Sequence, residues 1–293
     1  MTVAGGERQR VLRNLIAGAG PAGTVRVRMN TRLNSQQIEH YRLDGFAVHE
    51  HLLTTAELAE LRTAVDSAVA ALGKKRVAGG EVAGEDGDTY YDRVFTQKLN
   101  LWKINPVIKR FMIGPEIGRM VCELSGVPAM RLWHDQALIK EPFGNPTGWH
   151  LDDPYWSFSS RDAISIWIAL DDATLENGCL YYVPGSQRIA DFRNAGIGEN
   201  IADLFKIYPQ FKEIGTVATP VAAGGCVFHN GLTAHGAGAN MTNGRRRAMT
   251  AGYMPDGSTF NGQQNIMPDQ LFKAAKIGDL LNNDAENPKV WPV

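Results

Sequence analysis

Trp149-His150-Leu151-Asp152-Asp153 is the stretch of this 293-residue chain that carries the most information about its fold and chemistry. If this stretch is a β-strand, His150 and Asp152 project from the same face, because side chains alternate along a strand. An imidazole nitrogen beside a carboxylate oxygen supplies two ligands of a facial metal triad, which leaves three coordination positions open and suits Fe(II). Taken alone, an H-x-D sequence more often reflects a buried structural histidine and a turn-capping aspartate.

The third metal ligand has to come from another part of the chain. Of the seven histidines, only His229 and His235 follow the H-x-D motif in the later part of the chain. Arg246 lies eleven positions after His235, where an arginine at the start of the next strand can reach back across a hairpin. Its guanidinium fork can bind the distal carboxylate of a dicarboxylate at two points. We therefore expect His235 to be the third ligand and His229, whose spacing to Arg246 is wrong, to line the pocket.

The region after about residue 130 has the pattern of short β-strands. Apolar segments separated by Gly and Pro turns predict strands at residues 130–140, 148–152, 163–170, 179–183, 216–221, 225–229, 233–237 and 246–254. Capping signals at Asn34 and Thr54 predict two earlier helices. Further helices are predicted over residues 106–126, with a break at Gly114-Pro115, and over residues 268–281. Helices followed by many short strands favour a sandwich or jelly roll with the helices packed outside.

The charge balance argues against a protein that binds polyanions. The chain has 30 Lys+Arg and 31 Asp+Glu, a formal net charge of -1, whereas nucleic-acid binding needs a basic excess or a clustered basic face. Cys122, Cys179 and Cys226 are too few and too widely spaced for a disulfide framework or a cysteine zinc site. No apolar run approaches the roughly 20 residues of a membrane-spanning helix. We expect a cytoplasmic protein that binds neither nucleic acid nor membranes, and the sequence does not predict its oligomeric state.

Glycine-rich segments suggest how the chain is divided. Residues 1–30 contain several Gly and Pro breaks and are expected to be an N-terminal extension, whereas residues 31–293 are expected to form a single domain. Residues 73–93, rich in Gly and charge, and residues 186–215 are expected to form a lid that sets specificity.

Between about residues 34 and 260 the chain resembles the phytanoyl-CoA dioxygenase (PhyH) family of Fe(II)/2-oxoglutarate-dependent oxygenases. The resemblance also includes the N-terminal positions Tyr41, Asp44, Gly45 and Phe46. Its main motifs, in chain order, are His150-Leu151-Asp152, WIALDDATLENGCL at 167–180, VPGS at 183–186, HGAGAN at 235–240 and Arg246.

This resemblance implies a mostly β fold with flanking helices and a double-stranded β-helix (jelly roll, cupin-like) core. It implies iron bound by His150, Asp152 and His235, with Arg246 on the C5 carboxylate of 2-oxoglutarate. The carboxylate at position 152 disfavours a halogenase, which would need a small residue there to free a position for chloride.

The resemblance also suggests neighbours for the cosubstrate. Trp167, Gln136 and Lys98 are implied as residues that contact 2-oxoglutarate. One departure is Ala237, which stands where relatives often have serine. The corresponding hydroxyl contact is then lost or comes from another group, such as Thr250.

The implied reaction consumes O2 and 2-oxoglutarate, releases succinate and CO2, and hydroxylates, desaturates or cyclises a small, fairly apolar metabolite in secondary metabolism or lipid catabolism. Two alternatives remain open at this stage. One is a jelly-roll metalloenzyme that does not use 2-oxoglutarate, and the other is a non-catalytic binding module on the same fold.

Aromatic residues crowd the metal motif. They form either ordinary core or the walls of an apolar substrate pocket. The residues expected to contact substrate are Trp149, Tyr155, Trp156 and His229. His134 and Asp135 are adjacent and cannot share a strand face. We expect them to be structural, with contact between one of them and the substrate as the alternative.

Overall fold

Two capping boxes begin the first helices of the computed structural model, which describes residues 29–73 and 94–292. The Asn34 side chain accepts a hydrogen bond from the N–H of Gln37 and begins α1 (Ser35–Asp44). Thr54 does the same for Glu57 and begins α2 (Thr55–Leu72). Both helices start where the capping signals predict, because these side chains satisfy N–H groups that have no partner inside the helix.

The later helices are shorter. They are α3 (Pro106–Met112), α4 (Pro115–Ser125), α5 (Leu204–Ile207), α6 (Phe211–Ile214) and α7 (Asp269–Ala274). The predicted break at Gly114-Pro115 is confirmed. The predicted helix over residues 268–281 is wrong beyond α7: Ala275 is extended, and Gly278 has a φ of 95°, which favours glycine and ends helical geometry.

The strands are antiparallel. In chain order they are β1 (Phe46–His49), β2 (Thr96–Leu99), β3 (Met130–Lys140), β4 (Thr147–His150), β5 (Ile164–Ala169), β6 (Leu180–Tyr182), β7 (Val217–Thr219), β8 (Cys226–Asn230), β9 (His235–Ala237), β10 (Arg246–Pro255) and β11 (Lys289–Trp291). A seven-stranded sheet has the order β1-β8-β5-β10-β3-β11, with β2 also paired to β3. A four-stranded sheet has the order β4-β9-β6-β7. The predicted mostly β, jelly-roll fold with flanking helices is confirmed.

Each predicted strand overlaps an observed one, with two informative differences. The segment predicted over residues 148–152 stops being a strand at His150. The strands β2 and β11 were not predicted.

Strand alternation separates the core from the cavity in the large sheet. On β5, Ile164, Ile166 and Ile168 pack into the same apolar core as α2 and α4. The alternate residues Ser165 and Trp167 face a cavity that side chains of both sheets line. The helices therefore cover the outer face of this sheet, and its inner face is left for polar side chains.

Two predicted segments lie largely outside the described residues. The structure does not describe residues 1–28 of the N-terminal extension or residues 74–93 of the first lid segment. The second segment, 186–215, reaches the cavity through Gly196 and Ile197. Within residues 29–73 and 94–292, no helix is both long enough and apolar enough to cross a lipid bilayer.

Candidate active site

The aspartate of the H-x-D motif reaches the site through a turn. β4 ends at His150, and Asp152 has helical backbone angles (φ -78°, ψ -50°) at the start of a 3-10 turn, Asp153–Tyr155. The N–H groups of Asp152 and Asp153 both donate to the carbonyl of Gly231, at 3.0 and 2.9 Å. The sequence argument from strand alternation is therefore wrong in its geometry, although the two side chains do converge.

Three side chains offer a compact set of metal ligands. Donor atoms of His150, Asp152 and His235 all lie within 4.8 Å of one another. Asp152 Oδ1 is 3.6 Å from Nε2 of His150 and 3.6 Å from Nε2 of His235. The two histidines are opposite each other in the register of β4 and β9. Two imidazoles and one carboxylate in this arrangement match the facial ligand set of non-haem iron(II).

Backbone carbonyls orient both imidazoles. Nδ1 of His150 donates to the carbonyl of Gly148 at 2.9 Å, and Nδ1 of His235 donates to that of Thr233 at 3.0 Å. Because a carbonyl only accepts, each ring carries its proton on Nδ1 and presents the lone pair of Nε2 to the site. Burial, reinforced by His150, holds the pKa of His235 well below its usual value, so the ring is neutral and able to bind a metal.

Hydrogen bonds hold one oxygen of Asp152 and leave the other for a metal. Oδ2 accepts from Ser165 Oγ at 2.8 Å and from His229 Nε2 at 3.0 Å, and Tyr182 Oη lies 2.9 Å from His229 Nδ1. Burial acts to raise the pKa of Asp152, but interactions that include the hydrogen bond from His229 hold it well below its usual value. His229 therefore contacts a candidate metal ligand, and Oδ1 is the oxygen that faces the other two donors.

Replacing His229 with Phe is expected to weaken Fe(II) binding by about 10- to 100-fold, the usual cost of losing a group that orients a metal ligand. The hydrogen bond to Asp152 Oδ2 disappears, so the carboxylate is held by Ser165 alone. Iron affinity is measured by anaerobic titration. Tyr182→Phe removes only the outer hydrogen bond and should lower affinity less; an equal or larger loss in Tyr182→Phe would contradict this role for His229.

Arg246 is a buried cation without a protein partner for two of its nitrogens. It is 2% exposed, and its Nε and Nη1 make no hydrogen bond within the described parts of the chain. Its guanidinium lies 5.0 Å from the ring centre of Trp167. Burial lowers its pKa to about 10, so it is still protonated at neutral pH. An unpaired buried charge is costly, which indicates that an anion binds here.

The neighbours of Arg246 are turned away, as strand alternation predicts. Arg245 pairs with Glu141 at 2.7 Å. Arg247 pairs with Asp171 at 2.8 Å and with Asp66 at 2.7 Å.

A cavity of about 400 Å³ joins these groups. The predicted residues that line it are Gln136, His150, Asp152, Tyr155, Trp156, Trp167, His229, His235 and Arg246. Ala237 and Thr250 also line it, so a hydroxyl is present in the cavity despite the alanine.

Two predicted contact residues do not line the cavity. On β2, Gln97 and Leu99 line it, so Lys98 between them belongs to the opposite face and is buried there. Trp149 alternates with His150 on β4 and packs against Phe205, with the ring centres 5.4 Å apart. Each of the two residues lies one strand position away from an inward-facing side chain.

Several lining residues were missed by sequence reasoning. Ser165 could have been found, since it lies two positions before Trp167 on the same strand face. Phe95, Ile197, Asn265 and Ile266 come from connecting segments and carry no periodic signal that would place them in the cavity.

The chain belongs to the phytanoyl-CoA dioxygenase (PhyH) family, whose sequence profile matches residues 41–248. It is similar to an ectoine dioxygenase of Bordetella parapertussis, with 26% identity over 283 residues, 85% of this chain and 87% of the relative. Four other curated relatives match over a smaller part of their sequence. The chain spans between 45% and 65% of their length.

Solved structures resemble the fold over most of the chain. The non-heme alpha-ketoglutarate-dependent carbocyclase SnoK from nogalamycin biosynthesis has a TM-score of 0.75 and 27% identity, covering 89% of this chain and 98% of SnoK. The epimerase SnoN, in complex with Fe3+, alpha-ketoglutarate and nogalamycin RO, has a TM-score of 0.69 and 25% identity, covering 87% of this chain and 97% of SnoN.

Proposed function

We propose that this protein is an Fe(II)/2-oxoglutarate-dependent dioxygenase that hydroxylates, desaturates or cyclises a small, fairly apolar metabolite. One observation carries this proposal. A cluster of two histidines and one aspartate shares a cavity with a buried guanidinium, two of whose nitrogens have no partner among the described residues. The donor set fits iron(II), and the guanidinium fits the distal carboxylate of 2-oxoglutarate.

Each part of the site has a distinct task in this reaction. His150, Asp152 and His235 would hold iron, with Asp152 binding through Oδ1 because its other oxygen is occupied. Arg246 would bind the C5 carboxylate of 2-oxoglutarate against the ring of Trp167. Iron with 2-oxoglutarate and O2 supplies the oxidation of a substrate C–H bond, coupled to release of succinate and CO2. The apolar walls exclude water while this happens.

The two alternatives are less well supported. A jelly-roll metalloenzyme without an acidic cosubstrate leaves the Arg246 charge buried and unpaired. A non-catalytic module gives no reason for both histidines to present Nε2 toward the same point as Asp152 Oδ1.

The wider setting of the protein is also a proposal. The small-molecule substrate is supported by the size of the cavity, about 400 Å³, and by SnoK and SnoN, which act in nogalamycin biosynthesis. A cytoplasmic location without nucleic-acid partners is supported by three unpaired, buried cysteines and by the balanced charge. The pairing of β11 with β3 supports the proposal that residues 31–293 form one domain.

Anaerobic addition of Fe(II) and then 2-oxoglutarate is expected to produce a weak visible charge-transfer band, and admission of O2 to yield succinate. Absence of both signals in folded protein would overturn the proposed function. Turnover of a substrate that does not require 2-oxoglutarate would favour the metalloenzyme alternative.

A further inference from the structure

His134 is a buried histidine on the cavity wall without a complete set of hydrogen bonds. Its side chain lines the cavity and is 7% exposed. Its Nδ1 is shielded from solvent and has no hydrogen-bond partner within residues 29–73 and 94–292. A buried nitrogen left unpaired is costly, so such a group indicates a missing ligand.

The sheet register places His134 away from the arginine end of the cavity. His134 on β3 is opposite Gly252 on β10, which is opposite Ser165 on β5. Two strand spacings separate the Cα atoms of His134 and Ser165 by roughly 10 Å, and Ser165 contacts the metal ligand Asp152. Along β10, Arg246 is six residues from Gly252, roughly 20 Å. A cosubstrate bound at Arg246 therefore leaves the region next to His134 free for the substrate.

His134 lies beside an aromatic side chain in a cavity that also has aliphatic lining residues. Trp156 lies edge-on to His134, with ring centres 6.0 Å apart, and Ile197 and Ile266 line the same cavity. A Cβ atom on Gly252 would lie 3.0 Å from Trp156 Cζ2 and 3.5 Å from His134 Cε1. Glycine at this position therefore leaves room for the Trp156 ring at the cavity wall.

Three other polar lining residues, Gln97, Gln136 and Asn265, make hydrogen bonds within the protein. Gln97 Nε2 donates to Gln136 Oε1 at 2.5 Å, and Asn265 Oδ1 accepts from Trp133 Nε1 at 3.3 Å. Burial lowers the pKa of His134 to about 4, so the ring is neutral at pH 7 and offers one donor and one acceptor. A neutral imidazole suits an uncharged oxygen better than a carboxylate or phosphate.

We propose that His134 determines substrate specificity by hydrogen-bonding a hydroxyl or carbonyl oxygen on an otherwise apolar, ring-containing substrate. The ring of the substrate packs beside Trp156, and its reacting carbon faces the centre formed by His150, Asp152 and His235. This inference rests on the proposed function, because it assigns the Arg246 end of the cavity to the cosubstrate.

The test compares two probes that differ by one hydroxyl group, 2-naphthol and naphthalene. Their dissociation constants are measured by equilibrium dialysis against protein loaded anaerobically with Fe(II) and 2-oxoglutarate. From wild type to His134→Phe, we expect the preference for 2-naphthol over naphthalene to fall about 5- to 10-fold, the effect of one hydrogen bond. His134→Gln, which keeps a donor and an acceptor, should retain part of the preference.

His51→Phe is the matched control, since His51 is exposed; its probe preference should equal that of wild type. An unchanged preference in both His134 variants, or no binding of either probe to wild type, would overturn the inference. The charge-transfer band reports separately on the proposed function. Loss of the probe preference in a protein without the band would support the subsite and reject the dioxygenase, whereas a normal band with an unchanged preference would reject the subsite alone.

Discussion

Replacing His235 with Ala is expected to abolish the charge-transfer band and to lower succinate formation by more than 100-fold. The change removes a neutral imidazole whose Nε2 is held toward Asp152 by the Nδ1 contact with Thr233. Loss of a group that merely orients a ligand already costs about 10- to 100-fold in metal affinity, so loss of the ligand itself should cost more. Anaerobic titration and a succinate assay measure the two effects.

His229 is not expected to take over the vacated position. Its two ring nitrogens are engaged with Asp152 and Tyr182, at 3.0 and 2.9 Å. His51→Ala serves as the control, because His51 is exposed, and it should leave both signals unchanged. A band of normal intensity in a folded His235→Ala protein would refute the assignment of His235 as a metal ligand.

Replacing Arg246 with Met is expected to raise the KM for 2-oxoglutarate on the order of 10²- to 10³-fold. Removing one partner of a buried, hydrogen-bonded charge pair costs about 2–5 kcal/mol, which corresponds to an effect of this size. The distal carboxylate is bound before and during the reaction, so kcat should change much less than KM. Methionine fills much of the same volume and removes an unpaired buried charge, so the protein should still fold. Steady-state assays with varied 2-oxoglutarate give both constants.

Arg245→Met provides a matched control at the adjacent position. The Arg245 side chain is 65% exposed and pairs with Glu141 on the surface. The KM of the Arg245→Met variant for 2-oxoglutarate should stay within about twofold of wild type, since surface ion pairs contribute little free energy. If Arg246→Met left the KM unchanged, the guanidinium would not be the cosubstrate anchor, and an enzyme that uses no 2-oxoglutarate would become the better explanation.

The strand pattern predicted the fold well because alternation is a local property. Trp167 on β5 and Gln136 on β3, which the family resemblance named, both line the cavity. Lys98, named by the resemblance, and Trp149, named because aromatic residues crowd the metal motif, are not among the residues that line the cavity. Neither argument says which of two alternate strand faces is inward. Packing turns Trp149 toward Phe205 and buries Lys98 on the other face of β2.

The chemical types at the site follow from the sequence alone. The H-x-D motif, the later histidine and Arg246 appear in an order that predicted a metal centre with an anion site. Capping boxes and turn residues likewise determined where the first helices begin, since these interactions span only three residues.

Only the tertiary structure decided how these groups are used. The register of β4 with β9 sets His235 opposite His150, and contacts from β5 and β8 leave Oδ1 of Asp152 free. That Arg246 and His134 have nitrogens without a partner among the described residues is also a property of the folded cavity. Each depends on strands that are distant in sequence, and the hydrogen bonds of a buried side chain are determined by what packs around it.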